Sequence, residues 1–271
     1  MTVASTVTPM TARTALASAF HCELRKLARS RVGVLGTTVI AGGILTITAG
    51  ISGALAGGNP ELAAKLGPTA TLDWPGLLTV IAQITGAGGL LGFGTVLAWM
   101  FAREFADGTV VGLFALPVSR AQTAAAKIAV YAVWLLVLNA LLVAGLLGLG
   151  LLLGYGLPDV AAWSGISRQL LLGLFTGLVA LPVAWVATVS RSLLGGVSTA
   201  IGLVVVAQVG VLAGAAGWLP LAAPALWAMG HAAPDGPIAP ATTAQLAVSV
   251  IFSLAFAALT VVAWSRLQLR R

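Results

Sequence analysis

The sequence predicts an all-α, polytopic membrane protein with six transmembrane helices and both termini cytoplasmic. Three observations carry this. Hydrophobic residues make up 59% of the 271 residues and charged residues 8%, with a mean hydropathy of +1.04. A soluble domain carries about 25% charged residues, so this chain cannot cover a globular surface with polar groups and its solvent is lipid. Second, six stretches reach the roughly 20 apolar residues a spanning helix needs: 32–53, 76–100, 128–154, 169–189, 193–216 and 243–264. The runs are continuous and lack period-two alternation, which favours helices over a barrel. Third, the basic residues are one-sided. Six spans put both termini on one side, and twelve of the fourteen Lys and Arg residues fall there; Lys65 and Arg168 fall on the other. That asymmetry places the termini in the cytoplasm. The net charge of +7 then reflects topology and attraction to anionic lipid headgroups. The basic residues are scattered over short loops and no nucleic-acid motif occurs.

In chain order, residues 1–12 read as a flexible tail, and no signal peptide is expected because no short apolar core precedes the first span. Residues 13–31 read as an N-terminal amphipathic interfacial helix. Leu16, Phe20, Leu24 and Leu27 recur at helical spacing, Arg25 and Arg29 lie opposite, and Glu23 sits on the apolar edge with Lys26 as a partner three residues on. Glu23 is thus either a headgroup-level side chain or a group facing a protein partner. Residues 32–265 form one six-helix domain, with a coupling loop at 101–127 and an external loop at 217–242, followed by a basic tail at 266–271. Gly88 with Gly92 and Gly150 with Gly154 form small-residue pairs that allow close helix approach. Pro220, Pro224, Pro234, Pro237 and Pro240 interrupt segment 217–242, which is expected to lie in the outer interface or dip into it. Trp74, Trp99, Trp163, Trp218, Trp227 and Trp264 fall at span ends or external interfaces, where amphipathic rings concentrate. Cys22 is the sole cysteine, so no internal disulfide forms. His21 and His231 are expected on opposite sides of the membrane and share no metal.

The one sizeable charged island lies between spans 2 and 3. Span 2 is expected to continue past Trp99 through Arg103, Glu104 and Asp107. Gly108 then gives a bend, a short amphipathic segment runs from Thr109 to Leu116, and Pro117 stops it. Ser119 with Gln122 makes a capping box that starts a helix through Arg120 and Lys127 into span 3. Helix, bend, short helix, sharp stop and helix describe a rigid knob. The residues alone leave two readings open: a docking site for a partner, or a solvated connector whose charges hold topology. The remaining loop on that side, Ser190 to Ser192 around Arg191, is tiny.

Glu104 and Phe105 followed by Gly108 and Thr109, then Leu116, Pro117, Val118, Ser119 and Arg120 with Lys127 seven residues on, resemble the signature of ABC-2 type transporter permeases, among them antibiotic- and peptide-export permeases. The upstream run from Cys22 to Arg31 resembles the same family's N-terminal connecting helix. The resemblance implies that the island is a cytosolic coupling helix docked on a separate ABC ATPase. In that reading Arg103 and Glu104 make the leading polar contacts, with Asp107 and Thr109 beside them. Gly108 sets the bend, Pro117 and Ser119 set the stop and restart, Arg120, Lys127 and Arg191 assist, and Glu23 and Lys26 contribute from the connecting helix. It also implies a second copy or a related permease as dimer partner, a location in the cell inner or plasma membrane, and export.

No phosphate-binding loop occurs in the sequence, so the chain is not expected to be an enzyme by itself. ATP and Mg²⁺ are expected on the partner ATPase, with no cofactor in this chain. An ion-coupled carrier needs ionisable groups at membrane depth, and the six predicted spans contain none. Their stronger polar side chains are Gln83, Asn139 and Gln208, which serve as interhelical hydrogen-bond partners or line a path for a hydrophobic or amphiphilic cargo (a lipid, peptide or drug). No paired intramembrane Asp and no His-Glu-x-x-His motif point to a membrane enzyme. A membrane anchor or assembly subunit without its own cargo is the remaining alternative.

Overall fold

A computed structural model describes residues 12–67, 70–113, 118–232 and 240–268. Among these the chain is helical throughout, without strands. Helix α1 (Ala12–Ala28) precedes α2 (Arg31–Ala56), the first candidate span. A short α3 (Pro60–Leu66) leads to α4 (Trp74–Ile84), a π-helical turn (Thr85–Gly89) and α5 (Leu90–Ala106), which together make a second span of 33 residues. The turn α6 (Val110–Leu113) precedes α7 (Arg120–Leu152), the third span. Helices α8 (Val160–Val179) and α9 (Pro182–Ser190) form the fourth, and α10 (Leu193–Leu212) the fifth. Helix α11 (Ala223–Ala232) packs back onto the bundle before α12 (Thr243–Ser265), the sixth. Six helices are thus long and apolar enough to cross a membrane.

Local chemistry explains the boundaries. Ser30, Asn59, Asp73, Asp159 and Ser192 each accept a bond from a first-turn amide of the helix that follows, meeting donors that have no partner within the helix. The capping box of Ser119 and Gln122 forms as the sequence predicts, and Thr242 with Gln245 makes a second one at α12. Helix α8 begins nine residues earlier than the predicted 169 because Asp159 caps it at Val160. The fourth span is not continuous: Pro182 lacks an amide hydrogen, and the helix breaks at Ala180 and Leu181 before restarting as α9. The π turn falls in the Gly-rich part of span 2.

Apolar side chains gain little by leaving lipid for protein, so helices in a bilayer associate through close packing. Gly94 of α5 lies against Ala200 of α10, and Gly196 of α10 against Ala98 of α5. That reciprocal fit joins α5 to α10. The paired glycines singled out by spacing behave differently. Gly92 lies against Ile40 of α2, whereas Gly88 faces open space; Gly150 lies against the Trp74 ring, whereas Gly154 takes a left-handed φ of 81° just past α7. Neither pair is one continuous seam. Two buried layers result. One surrounds Phe93, Leu97, Phe101, Tyr131, Trp134 and Trp264 toward the end that carries α1. The other surrounds Trp74, Leu77, Ile81, Leu142, Leu146 and Ile166 at the opposite end.

The Gly150 contact makes a direct test. Val at 150 drives side-chain atoms into the Trp74 ring and is expected to cost about 1–3 kcal/mol. Ala at Gly148, which has nothing within 4 Å, should be neutral or stabilising by up to ~1 kcal/mol. Thermal unfolding of the two variants in one detergent compares them.

Candidate functional site

Helices α5 and α7 leave the bundle at the end where α1 lies and are joined by the segment that contains α6. Asp107 ends α5, and Gly108 turns the chain with a φ of 67°. Only glycine adopts that conformation without cost. Asp107, Gly108, Thr109, Val111 and Gly112 are exposed at the tip. Pro117 and the rest of 114–117 lie outside the described residues. Ser119, also exposed, restarts the chain as the cap of α7.

Under this tip the structure gathers four charges from three helices. The Lys127 ammonium on α7 is fully buried. It donates to Glu23 Oε2 of α1 at 2.8 Å, to Glu104 Oε1 of α5 at 2.7 Å and to the Met100 carbonyl at 2.9 Å. An ammonium has three donors, and all three are satisfied. Lys26 bonds Glu23 Oε1 at 2.5 Å and reaches Glu104 Oε1 at 3.4 Å. Two carboxylates and two ammonium groups thus balance, with the Arg103 Nε 3.8 Å from Glu104 Oε1 at the rim. The Trp264 ring centre lies 5.6 Å from the Lys127 nitrogen, adding a cation–π contact. Trp264 is itself held by a 3.0 Å bond from Nε1 to Thr188 Oγ1.

Helix α1 presents Ala15, Ala19, Glu23 and Leu27 inward, a stripe of every fourth residue. Two alanines let α1 lie close along the start of α7, and the next position in the stripe delivers the carboxylate. The expected stripe of Leu16, Phe20, Leu24 and Leu27 is therefore rotated: Leu16 is exposed, while Phe20 and Leu24 are partly buried. Burial by itself raises the Glu23 pKa, but Lys127 and then Lys26 outweigh it and hold the carboxyl below its ordinary 4.5. Burial lowers the Lys26 pKa, and the bond to Glu23 with the nearby Glu104 overcomes that and holds it above 10.5.

The structure places three of the expected contact residues inside the bundle. Glu104 (2% exposed), Lys127 (0%) and Glu23 (5%) are internal, so none offers its charge directly to a docked protein. Their charges join α1, α5 and α7 in one lock. Arg103 folds back, its guanidinium 4.7 Å from the Trp99 ring centre. Arg120 bonds the Leu267 carbonyl, and Arg191, in a left-handed conformation at φ 53°, bonds the Gln268 carbonyl at 3.0 Å. Both arginines thereby fasten the segment after α12 beside the base of the tip. The spacing of Glu23 and Lys26 signalled their own pair. Nothing in the sequence pattern signalled that Lys127, 104 residues away from Glu23, closes the lock.

The polar residues of the spans separate as well. Gln83 and Gln208 are both exposed and line one open cavity of about 380 Å³ with Gly86, Leu221, Ala225 and Met229. Asn139 is buried, donates to the Leu135 carbonyl and fits against Gly173 of α8; it is a packing residue and takes no part in that cavity. A fourth amide that spacing did not single out, Gln169, is buried and bonds Thr85 of the π turn. Among the described residues no group of three His, Cys, Asp or Glu side chains could hold a metal.

A helical bundle with six candidate spans and a charge-locked helical projection defines a multi-pass membrane protein. The model of the ABC-2 family transporter protein family matches residues 19–209, so the chain belongs to that family. It is the permease component of an ABC transporter, a non-catalytic transmembrane subunit. ATP binding belongs to a separate ATPase, with which ABC-2 permeases generally pair. A comparison with curated proteins finds no match.

Two expectations test the lock. Lys127→Met leaves two buried carboxylates without their shared cation and should cost about 3–5 kcal/mol; adding Glu23→Gln and Glu104→Gln should recover much of the loss. Unfolding midpoints of the single and triple variants check this. The second concerns pH. Because the Glu23 pKa is lowered on folding, its contribution is present above 4.5 and is lost as pH falls through the lower folded value. Because the Lys26 pKa is raised, its contribution is complete below 10.5 and is lost as pH rises through the higher folded value. Detachment of α1, followed by a fluorophore on the exposed Cys22, should thus be flat through neutral pH and appear in acid, and Glu23→Gln should remove the acid transition.

Proposed function

We propose that this chain forms the translocation path of an ABC exporter for a hydrophobic or amphiphilic cargo. In this reading both termini are cytoplasmic, α1 lies at the inner membrane surface, and the projection between α5 and α7 is a coupling helix docked on a separate ATPase that holds ATP and Mg²⁺. The observation that carries the reading is the fully satisfied Lys127 ammonium joining α1, α5 and α7 beneath an exposed tip. A force on Asp107, Gly108, Thr109 and Ser119 then moves three helices as one body, where an unlocked loop would bend and absorb it. Nucleotide-driven closure of the ATPase displaces the tip. Spans 2 and 4 absorb the displacement at the π turn and at the Ala180–Pro182 break, two places where the helical ladder is already interrupted. Two packings of the bundle are thereby biased.

The cavity lined by Gln83 and Gln208 sits beside the π turn, since Gly86 of that turn is in its wall. Mostly apolar walls with two amides suit a cargo that is largely apolar with a few polar groups. Helices α2 and α10 cover little of their apolar surface within the chain, leaving Val39, Ile47, Val205 and Val209 exposed. A second copy or a related permease would complete a path between two bundles.

Added positive charge at the tip tests the docking surface. Asp107→Arg and Thr109→Arg change only exposed side chains and should weaken association with the cognate ATPase about tenfold, or roughly 1.4 kcal/mol, and lower cargo-stimulated hydrolysis with it. Arg25→Ala, on the exposed face of α1, serves as the comparison. Co-purification and hydrolysis in reconstituted vesicles measure both quantities. Wild-type association and hydrolysis in both tip variants would remove the docking assignment. Hydrolysis that no amphiphile stimulates, in a complex that still assembles, would make the chain an anchor subunit.

A further inference from the structure

The charges at the end of the bundle opposite α1 are not balanced. There the starts of α4 and α8 and the side of α11 enclose a cleft of about 220 Å³, walled by Leu78, Ala82, Ala162 and Ala228, with Arg168 and Gln169 as its strongly polar side chains. Gln169 is 3% exposed; its Nε2 donates to Thr85 Oγ1 at 2.8 Å, and its Oε1 is buried without a hydrogen-bond partner. Arg168 bonds the Ser164 hydroxyl at 2.9 Å, and among the described residues no carboxylate lies within ion-pairing distance of it. A side chain with a buried, unpaired carbonyl oxygen and an unneutralised guanidinium therefore line one largely apolar cleft. The buried carbonyl is unfavourable alone, and one ligand with a donor beside an anionic group would satisfy it while neutralising the guanidinium.

We propose that this cleft holds the headgroup of a phospholipid that carries a hydrogen-bond donor. The phosphate pairs with Arg168, and an ammonium or hydroxyl of the headgroup donates to Gln169 Oε1. Depth supports the assignment. Arg168 lies five residues, or about 7.5 Å, deeper along α8 than the half-exposed Trp163, a residue type that concentrates at the level of the headgroups, and a long arginine side chain can reach back toward that level. Size supports it too. The cleft of about 220 Å³ admits a small polar group, while the acyl chains would stay among the exposed apolar side chains outside. Water alone satisfies Gln169 but leaves the guanidinium without a counter-charge. The bound lipid would bear on the fold's moving parts, because the far end of the Gln169 amide is fixed to Thr85 of the π turn. This inference does not depend on the docking reading above.

Headgroup chemistry provides the test. Purified protein is exchanged into micelles with phosphatidylethanolamine, phosphatidylglycerol or phosphatidylcholine of identical acyl chains, and retained lipid is counted by native mass spectrometry. The first two carry donors; the trimethylammonium of the third has none. Phosphatidylethanolamine and phosphatidylglycerol should be retained at least about tenfold over phosphatidylcholine. Arg168→Ala should abolish retention of both, and Arg168→Lys should restore part of it. Gln169→Leu should bring both down to the phosphatidylcholine level. Equal retention of all three lipids by the wild-type protein, which needs no variant to fold, overturns the proposal. So does retention that survives Arg168→Ala. Displacement of the lipid by millimolar glycerol 3-phosphate would assign the cleft to a soluble phosphate-bearing molecule and overturn the lipid assignment.

Discussion

The structure turns on one ammonium group with no access to solvent. Burying an isolated cation is far too costly to persist, so Lys127 can occupy its site only with Glu23, Glu104 and the Met100 carbonyl in place around it. Each partner comes with its own helix. Glu23 brings α1, which has no span of its own to hold it in position. Glu104 and Met100 fix the last two turns of α5, and Lys127 fixes the third turn of α7. The geometry at this end of the bundle is therefore set by charge and donor count as much as by packing. A buried ion pair is weak evidence for added stability, because well-packed apolar residues often do as well. It is better evidence for a particular arrangement, since only one relative placement of three helices satisfies all three donors.

In the proposed coupling, that arrangement separates surface from transmission. The exposed tip, from Asp107 to Gly112, has almost no structure of its own beyond the Gly108 bend and the single turn of α6. Its stiffness is borrowed from below, where the lock, the Trp264 ring and the carbonyls of Leu267 and Gln268 fasten the bases of α1, α5 and α7 and the segment after α12. In the proposed coupling, specificity for an ATPase resides in the tip and rigidity in the lock. The two can vary independently.

Much of this was legible in the sequence because lipid leaves few options. Six apolar runs, capping residues and a Gly–Pro punctuated island dictate six long helices and one shaped connection, and the Ser119–Gln122 box and the Gly108 bend follow from local chemistry alone. What was not legible is non-local. Spacing could pair Glu23 with Lys26 three residues on, but not with Lys127 on another helix, so buried charges read as surface contacts. The Leu16 stripe was misplaced for the same reason. Periodicity finds the more apolar face of α1, whereas α7 selects the face with two alanines and a carboxylate that fit it. Gln83 and Gln208 could be identified as polar residues within spans. Only the fold places them on one cavity and buries Asn139 away from it.

The two ends of the bundle handle charge in opposite ways, and the difference bears on how the molecule is set in lipid. Around Lys127 the three ammonium donors all find acceptors inside the chain, and Glu104 Oε2 is left buried without a hydrogen-bond partner. Around Arg168 and Gln169 the chain leaves a cation and an acceptor for something outside itself. Between them runs span 2, whose α5 half ends in the lock and whose α4 half begins at the cleft, with the π turn and its Thr85–Gln169 bond at the junction. In the proposed coupling, a displacement that enters through α5 would reach a joint whose other side is steadied by a group sensitive to its surroundings. A headgroup in the cleft would hold the α4 half still while α5 moves, and the π turn is where the resulting change in helical twist would accumulate.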